Sequence, residues 1–228
     1  ILDTLYSILH TILMIFHVIT IFPKMFESYL ADSILARAIK NKKISVKFYN
    51  PRDFTKDKHH KVDDRVYGGG PGMVMYAEPI LKAFESIKLK TKNSKLKTII
   101  LSPSGKKFTN AVARKLSKQK GEIILISGRY EGIDARVKKI LHAEEYSIGD
   151  YVLTGGELPA MVIIDAVARQ IKGVLGKFES VEENRISSSE IYTRPEIIVY
   201  KKKKYSVPKI LLSGHRANIE KWKVKRTN

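Results

Sequence analysis

Two glycine-punctuated turns constrain this chain more than any other feature. The first, Ser127-Gly128-Arg129-Tyr130-Glu131-Gly132-Ile133-Asp134, follows the apolar run Ile123 to Ile126. The second, Ser147-Ile148-Gly149-Asp150-Tyr151-Val152-Leu153-Thr154-Gly155-Gly156-Glu157, runs into a helical stretch beginning near Leu158. Strand-to-loop-to-helix bends of this kind expose bare backbone N–H and C=O groups, because glycine carries no Cβ to keep a ligand away. Two of them together outline a pocket for one flat ligand.

The rest of the pattern supplies a scaffold. Phe16 to Phe22 is β-branched and aromatic, stops at Pro23 and predicts a buried strand. Met25 to Lys40 has helical spacing, with Phe26, Leu30, Ile34, Leu35 and Ala38 on one face and Asp32 breaking none. Strands are expected at Val46 to Tyr49, Thr98 to Leu101, Ile123 to Ile126 and Glu145 to Ile148. Helices are expected at Pro79 to Lys90, Asn110 to Lys118, Asp134 to His142 and Leu158 to Ile171, where Pro159 sits in a tolerated first-turn position. Pro51 to Gly72 reads as one long loop and Ser102 to Gly105 as a turn. This alternation predicts an α/β domain with a mostly parallel sheet covered on both faces. After Gly176 the composition shifts. Phe178 to Ile191 reads as a Ser/Glu-rich linker, and a small basic segment with a helix from Ala217 to Lys225 follows.

Charge points to the partner. Lys and Arg outnumber Asp and Glu by 42 to 23 among 228 residues, for a net charge of +19. Residues 200–228 carry ten of those cations against one acid, Glu220. A surplus of that size fits a polyanion, nucleic acid first. Zero cysteines exclude disulfides, thiolate metal sites and cysteine nucleophiles, and fit a cytoplasmic protein. Leu5 to Phe22 is uncharged and about the minimum length of a membrane helix. Its strand-like second half and the Met14 just before it favour another reading. Met14 is taken as the natural start and residues 1–13 as an extraneous extension.

The segment Asp63 to Met75 packs four glycines and Pro71 into residues 68–72. It reads as a ligand-facing loop, and no Gly-Lys-Ser/Thr follows to make it a phosphate loop. His59, His60, Asp63 and Asp64 have spacing too loose for a closed metal set, so no metal is expected. Arg169, on an otherwise apolar helix, either snorkels from the core or points at an anion.

Taken in order, these pieces resemble the bacterial tRNA (guanine-N1)-methyltransferases of the trefoil-knotted superfamily. The likeness runs from Met14 to about Lys223. It rests on Ile19-Thr20-Ile21-Phe22-Pro23, Arg52-Asp53-Phe54-Thr55, Asp63 to Met75, Leu101-Ser102-Pro103 and Gly128 to Asp134. It continues through Ser147 to Pro159, Val174-Leu175-Gly176, Tyr192-Thr193-Arg194-Pro195-Glu196 and Leu211-Leu212-Ser213-Gly214. The resemblance implies a deep knot in the C-terminal part of the α/β domain, residues 14–176. It implies a linker over 177–191 and a small tRNA-binding domain over 192–228. It implies S-adenosylmethionine as cofactor, held by Leu101, Gly128, Ile148, Gly149, Asp150, Tyr151, Val152, Leu153 and Gly156. It implies a homodimer with shared active sites, and tRNA with a guanosine just 3′ of the anticodon as substrate. Pro71 and Gly72 would hold the guanine with Glu131, and Arg169 would face its O6.

In one respect the chain departs from the family. The linker aspartate that serves as general base in that family has its expected position at Ser188, and Glu190, or less directly Glu183, is the carboxylate that can replace it. Two other readings follow: a SAM- and tRNA-binding relic with little turnover, and a membrane-anchored RNA-binding protein using residues 1–22.

Overall fold

A computed structural model of the chain describes residues 14–91, 96–119, 121–175 and 190–225. They fall into two compact units, one ending at Leu175 and one following it.

The first unit is built on seven strands: β1 (Met14–Ile19), β2 (Ile44–Tyr49), β3 (Asp63–Arg65), β4 (Met73–Met75), β5 (Leu96–Lys107), β6 (Glu122–Ser127) and β7 (Glu144–Ser147). Five of them form one sheet in the order β2-β1-β6-β5-β7, and every pairing in it is parallel. The helices are a single turn α1 (Glu27–Leu30), α2 (Ser33–Lys40), α3 (Ala77–Lys90), α4 (Asn110–Ser117), α5 (Arg136–Leu141) and α6 (Glu157–Ala168). Side chains alternate along a strand, so each strand feeds two cores. Phe16, Val18, Ile123 and Leu125 pack under α2, α4 and α6. Ile19, Ile124 and Ile126 pack under α3 and α5. The α/β expectation with a mostly parallel sheet therefore holds.

Several expected elements come out differently. The helix expected over 25–40 is broken in three. Pro23–Phe26 is a 3-10 turn, α1 ends at Leu30, and extended Asp32 caps α2 by accepting a hydrogen bond from Ser33 N. Asp32 breaks no face, yet as an N-cap it starts a new helix. The first strand ends at Ile19 rather than Phe22. The stretch 51–72 is not one loop, since it contains a 3-10 turn at Pro51–Phe54 and strand β3, which pairs antiparallel with β4. Asp63-Asp64-Arg65 lacks any apolar alternation, which is why the strand is invisible to periodicity. The turn expected over 102–105 lies within β5. That strand pairs with Tyr146 at Leu101 and again, after a register shift, at Lys106. A Cβ on Gly105 would lie 2.6 Å from the backbone of Glu145 and Tyr146, so the bulged part of β5 lies directly against β7 there. Helix α6 stops at Ala168, with Arg169 as its C-cap. The strand at 73–75, the hairpin strands at 197–200 and 203–206 and the short helix at 209–212 are not expected from the sequence, and the remaining expected strands and helices start and end within two residues of expectation.

The apolar stretch 5–22 is not one helix, because residues 14–19 are a central strand. Among the described residues no helix is long and apolar enough to cross a membrane.

The second unit has a hairpin of β8 (Ile197–Tyr200) and β9 (Lys203–Ser206), then α7 (Lys209–Leu212) and α8 (Arg216–Val224). Tyr192 and Trp222 bring their rings to 6.4 Å. Ser188 and Glu183 lie outside the described residues.

Candidate cofactor and substrate site

The loops after β6 and β7, together with the irregular stretch of β5 just past Leu101, enclose a cavity of about 510 Å³ at one edge of the parallel sheet. Crevices at this edge of an open parallel sheet are the usual ligand sites, and the volume lies within the roughly 300–1,000 Å³ of small-molecule pockets.

Backbone approach shapes the cavity. Gly156 N donates to Gly128 O at 2.8 Å, which zips the two glycine turns together. A Cβ on Gly156 would sit 2.7 Å from Ser127 Cα and 2.9 Å from Gly128 N. Gly156 has an ordinary φ of −82°, so closeness rather than conformation requires glycine there. The buried Ser127 Oγ has no hydrogen-bond partner among the described residues. Leu101, Gly128, Ile148, Tyr151, Val152, Leu153 and Gly156 all line the cavity. Gly149 and Asp150 do not. Gly149 O instead accepts from Ser147 Oγ, and Asp150 pairs with Lys107.

The same walls carry carboxylates. Glu131, Asp134 and Glu145 line the cavity. Arg136 hydrogen-bonds Asp134 and holds its carboxyl below the usual range. An apolar wall, exposed backbone and these acids suit a flat ring system joined to a cationic centre. S-adenosylmethionine has those parts, so the residues present fit it.

Strand β4 ties the glycine-rich loop to this wall. Glu131 N donates to Met73 O, Met75 N to Gly132 O and Asp134 N to Met75 O. Tyr130 has φ of 60°, a left-handed conformation rare for a bulky residue and found at functional bends. Gly72 has φ of +88°, and a Cβ there would meet Glu131 Cγ at 2.6 Å. The structure thus brings Gly72 and Glu131 together, while Pro71 and Gly72 do not line the cavity.

Arg129 and Glu157 brace the loops, a role the sequence did not reveal. Arg129 Nε lies 2.9 Å from Glu157 Oε2, and the Glu157 side chain is 1% exposed. The two atoms lack the straight N–H···O line of a hydrogen bond, so charge holds them. Glu157 Oε1 accepts from Thr20 Oγ1 at 2.8 Å. Arg129 also donates to Thr154 O and stacks its guanidinium over the Phe22 ring at 4.6 Å. One side chain therefore joins the end of β1 to both glycine turns. The available signal was an acid opening the apolar helix directly after Gly155-Gly156, where the helix dipole favours it.

Other expected residues lie elsewhere. Arg169 caps the far end of α6 and does not line the cavity. Twelve residues of helix separate it from Glu157, about 18 Å at the α-helical rise. Glu190 belongs to the second unit, where its Oε2 accepts from Tyr192 Oη at 2.8 Å. His60 exchanges hydrogen bonds with Arg52, Asp64 accepts from Tyr76, and no metal-binding cluster occurs among the described residues.

Residues 14–228 match the family described as tRNA (Guanine-1)-methyltransferase TrmD. Among similar proteins, the tRNA (guanine-N(1)-)-methyltransferase of Carboxydothermus hydrogenoformans is 49% identical over 214 residues, 92% of this chain and 81% of its own. The enzyme of that name from Ruminiclostridium cellulolyticum is 48% identical over 216 residues, covering 93% and 90%. That of Pseudoalteromonas atlantica is 46% identical over 216 residues, covering 93% and 79%. On these matches the chain belongs to the tRNA (guanine-1)-methyltransferase family.

Proposed function

We propose that this chain transfers a methyl group from S-adenosylmethionine to N1 of the guanosine immediately 3′ of the tRNA anticodon. The observation that carries this is the zipped pair of glycine turns around a cavity lined by Gly128, Glu131, Ile148, Tyr151, Val152 and Leu153, in a member of a methyltransferase family.

S-adenosylmethionine, when bound, supplies an electrophilic methyl on a sulfonium. The protein's work is on the guanine. Its N1 carries a proton and is a poor nucleophile until a base removes it. Glu190 is the proposed base, in place of an aspartate at position 188. As the proton leaves, charge builds on O6, and the guanidinium of Arg169 from a second copy is the proposed stabiliser. Glu131 and the Pro71-Gly72 backbone hold the base by its polar edge, which requires the nucleotide to leave the stack.

The distance along α6 argues for two copies. A chain's own Arg169 sits about 18 Å down the helix from the glycine turns. The outer face of α6 is apolar and open, with Leu158 50% and Val162 44% exposed, and Met25 and Tyr29 are exposed as well. Two such helices packed antiparallel about a two-fold axis would cover that face and carry each Arg169 toward the other chain's cavity. A knotted path is proposed for this part of the domain from the family alone. The second unit, with its basic run, is the proposed tRNA-gripping domain. Modification of tRNA makes the cytoplasm the expected location.

Incubation with tritium-methyl S-adenosylmethionine and a tRNA carrying that guanosine should place label on its N1. Absence of label at enzyme concentrations equal to the tRNA overturns the proposal. Glu190→Gln should abolish label while leaving cofactor affinity intact, and Ser188→Asp should restore it if the base position is as proposed.

A further inference from the structure

The charged side chains that line the cofactor cavity are Arg129, Glu131, Asp134, Lys138 and Glu145. Arg129 and Asp134 are committed to partners outside the wall: Arg129 faces the buried Glu157, and Asp134 is paired with the exposed Arg136. Lys138 and Glu145 answer each other instead. From the last turn of α5, Lys138 Nζ donates to Glu145 Oε2 on β7 at 2.5 Å. Both side chains meet solvent as well as the cavity, being 52% and 26% exposed. The neighbouring Glu144 points to the opposite face of β7, where Lys97 and Tyr146 hold it. Among the described residues, Lys138 is therefore the cation that balances Glu145. Glu131 forms no ion pair among the described residues. The charges of the wall thus cancel in pairs except at Glu131, and Lys138 is the cation whose partner is itself a wall residue.

We propose that Lys138 is a specificity-determining residue: by cancelling the charge of Glu145, it sets how strongly the cavity prefers cationic S-adenosylmethionine to its demethylated product, S-adenosylhomocysteine. The inference rests on the cofactor reading above. The cofactor carries a sulfonium, an ammonium and a carboxylate, and so has a net positive charge. The product has a neutral thioether in place of the sulfonium and has no net charge. The two ligands otherwise differ by a single methyl group, so an uncancelled charge on the wall changes their affinities unequally. Across about 8 Å, with an effective dielectric of about 40 for a half-solvated site, one unit charge acting on another changes a binding constant about five-fold. With Lys138 in place the ligand meets one uncancelled acid, Glu131. Without it the ligand meets Glu145 as well, and the gain falls on the cationic form. Lys138 therefore limits how firmly the cavity holds the methyl donor relative to what remains after transfer.

The test uses the full chain with Lys138→Met, Glu145→Gln and the two combined. Calorimetric titrations with S-adenosylmethionine and with S-adenosylhomocysteine are run separately at an ionic strength of about 0.01 M, where the screening length is roughly 30 Å. Lys138→Met should raise the ratio of cofactor to product affinity about five-fold, and Glu145→Gln should lower it about five-fold. The double variant should return the ratio to within about two-fold of wild type. Lys138→Arg keeps the charge and should keep the ratio. Lys139→Met removes an exposed cation that does not line the cavity and should leave the ratio unmoved. A pair that only supported the loops would weaken both ligands together and leave their ratio alone. A Lys138→Met ratio within about two-fold of wild type, shifts of the same sign in both single variants, or an equal shift in Lys139→Met overturns the inference while the cofactor reading stands. Wild-type protein that binds neither ligand overturns the cofactor reading and the inference together.

Discussion

Replacing Arg129 by Met should damage the fold more than replacing Glu157 by Gln, and the two losses should not add. At 2.9 Å, Coulomb's law with an effective dielectric of about 20 gives roughly 6 kcal/mol of attraction, against which both groups lost hydration on burial. Arg129→Met strands a carboxylate that is 1% exposed and keeps only the Thr20 hydroxyl. Breaking a buried pair this way costs about 3–5 kcal/mol. Glu157→Gln preserves an acceptor for Thr20 and leaves Arg129, 16% exposed, with Thr154 O and the Phe22 ring, so about 2 kcal/mol is expected. The double variant buries no lone charge and should recover about 2 kcal/mol relative to the sum. Urea unfolding followed by circular dichroism reads these differences. With a slope near 2 kcal/mol per molar, Arg129→Met should lower the midpoint by about 2 M. Calorimetric titration with S-adenosylmethionine should show weakened binding in both single variants, because the pair tethers both glycine turns. Additivity within about 0.5 kcal/mol would falsify the bracing role.

Gly156→Ala should lose cofactor binding and about 1–3 kcal/mol of stability, since its Cβ meets backbone at 2.7 Å; unaltered titration and melting curves contradict the close-approach argument. Gly72→Ala combines a φ of +88° with a 2.6 Å clash against Glu131, so kcat should fall by about 100-fold with cofactor affinity retained. Equal loss of both would place Gly72 in the cofactor wall instead. Burial lowers the pKa of His17 below its usual 6.5, despite the opposing hydrogen bond to Glu122, with Tyr49 and Lys47 also near. The unfolded chain therefore takes up this proton first, and stability should decline as pH falls through about 6.5. His17→Gln should flatten that decline between pH 7.5 and 5.5; an unchanged slope refutes the assignment.

The elements most legible in the sequence are those that local physics dictates. β1, β6 and α3 follow from runs whose apolar positions match one period, and glycines at 128 and 156 announce backbone approach. The missed features depend on partners distant in sequence. β3 is Asp-Asp-Arg and becomes a strand only because β4 pairs with it. The break in the helix over 25–40 follows from the extended backbone of Asp32, which periodicity cannot see. Arg129 and Glu157 are separated by a whole strand and helix, and nothing local marks them as partners.

The same distinction explains why the cofactor half of the site reads more sharply than the proton-accepting half. A cofactor held by backbone needs a specific chain path, and that path demands glycine at fixed positions. Gly156 has no room for one more carbon. A general base needs only a carboxylate within reach at the right moment, and a linker can deliver that from more than one position. If the base position falls at Ser188 as proposed, a serine there would be tolerable in a way that loss of Gly156 would not. The asymmetry has a measurable form: Gly156→Ala should defeat methyl transfer by defeating cofactor binding. Glu190→Gln should defeat transfer alone, and a carboxylate restored at position 188 should rescue it. Rescue of Gly156→Ala by any side-chain change elsewhere in the loop is not expected, because the added Cβ would meet the main chain of Ser127 and Gly128 and not a movable side chain.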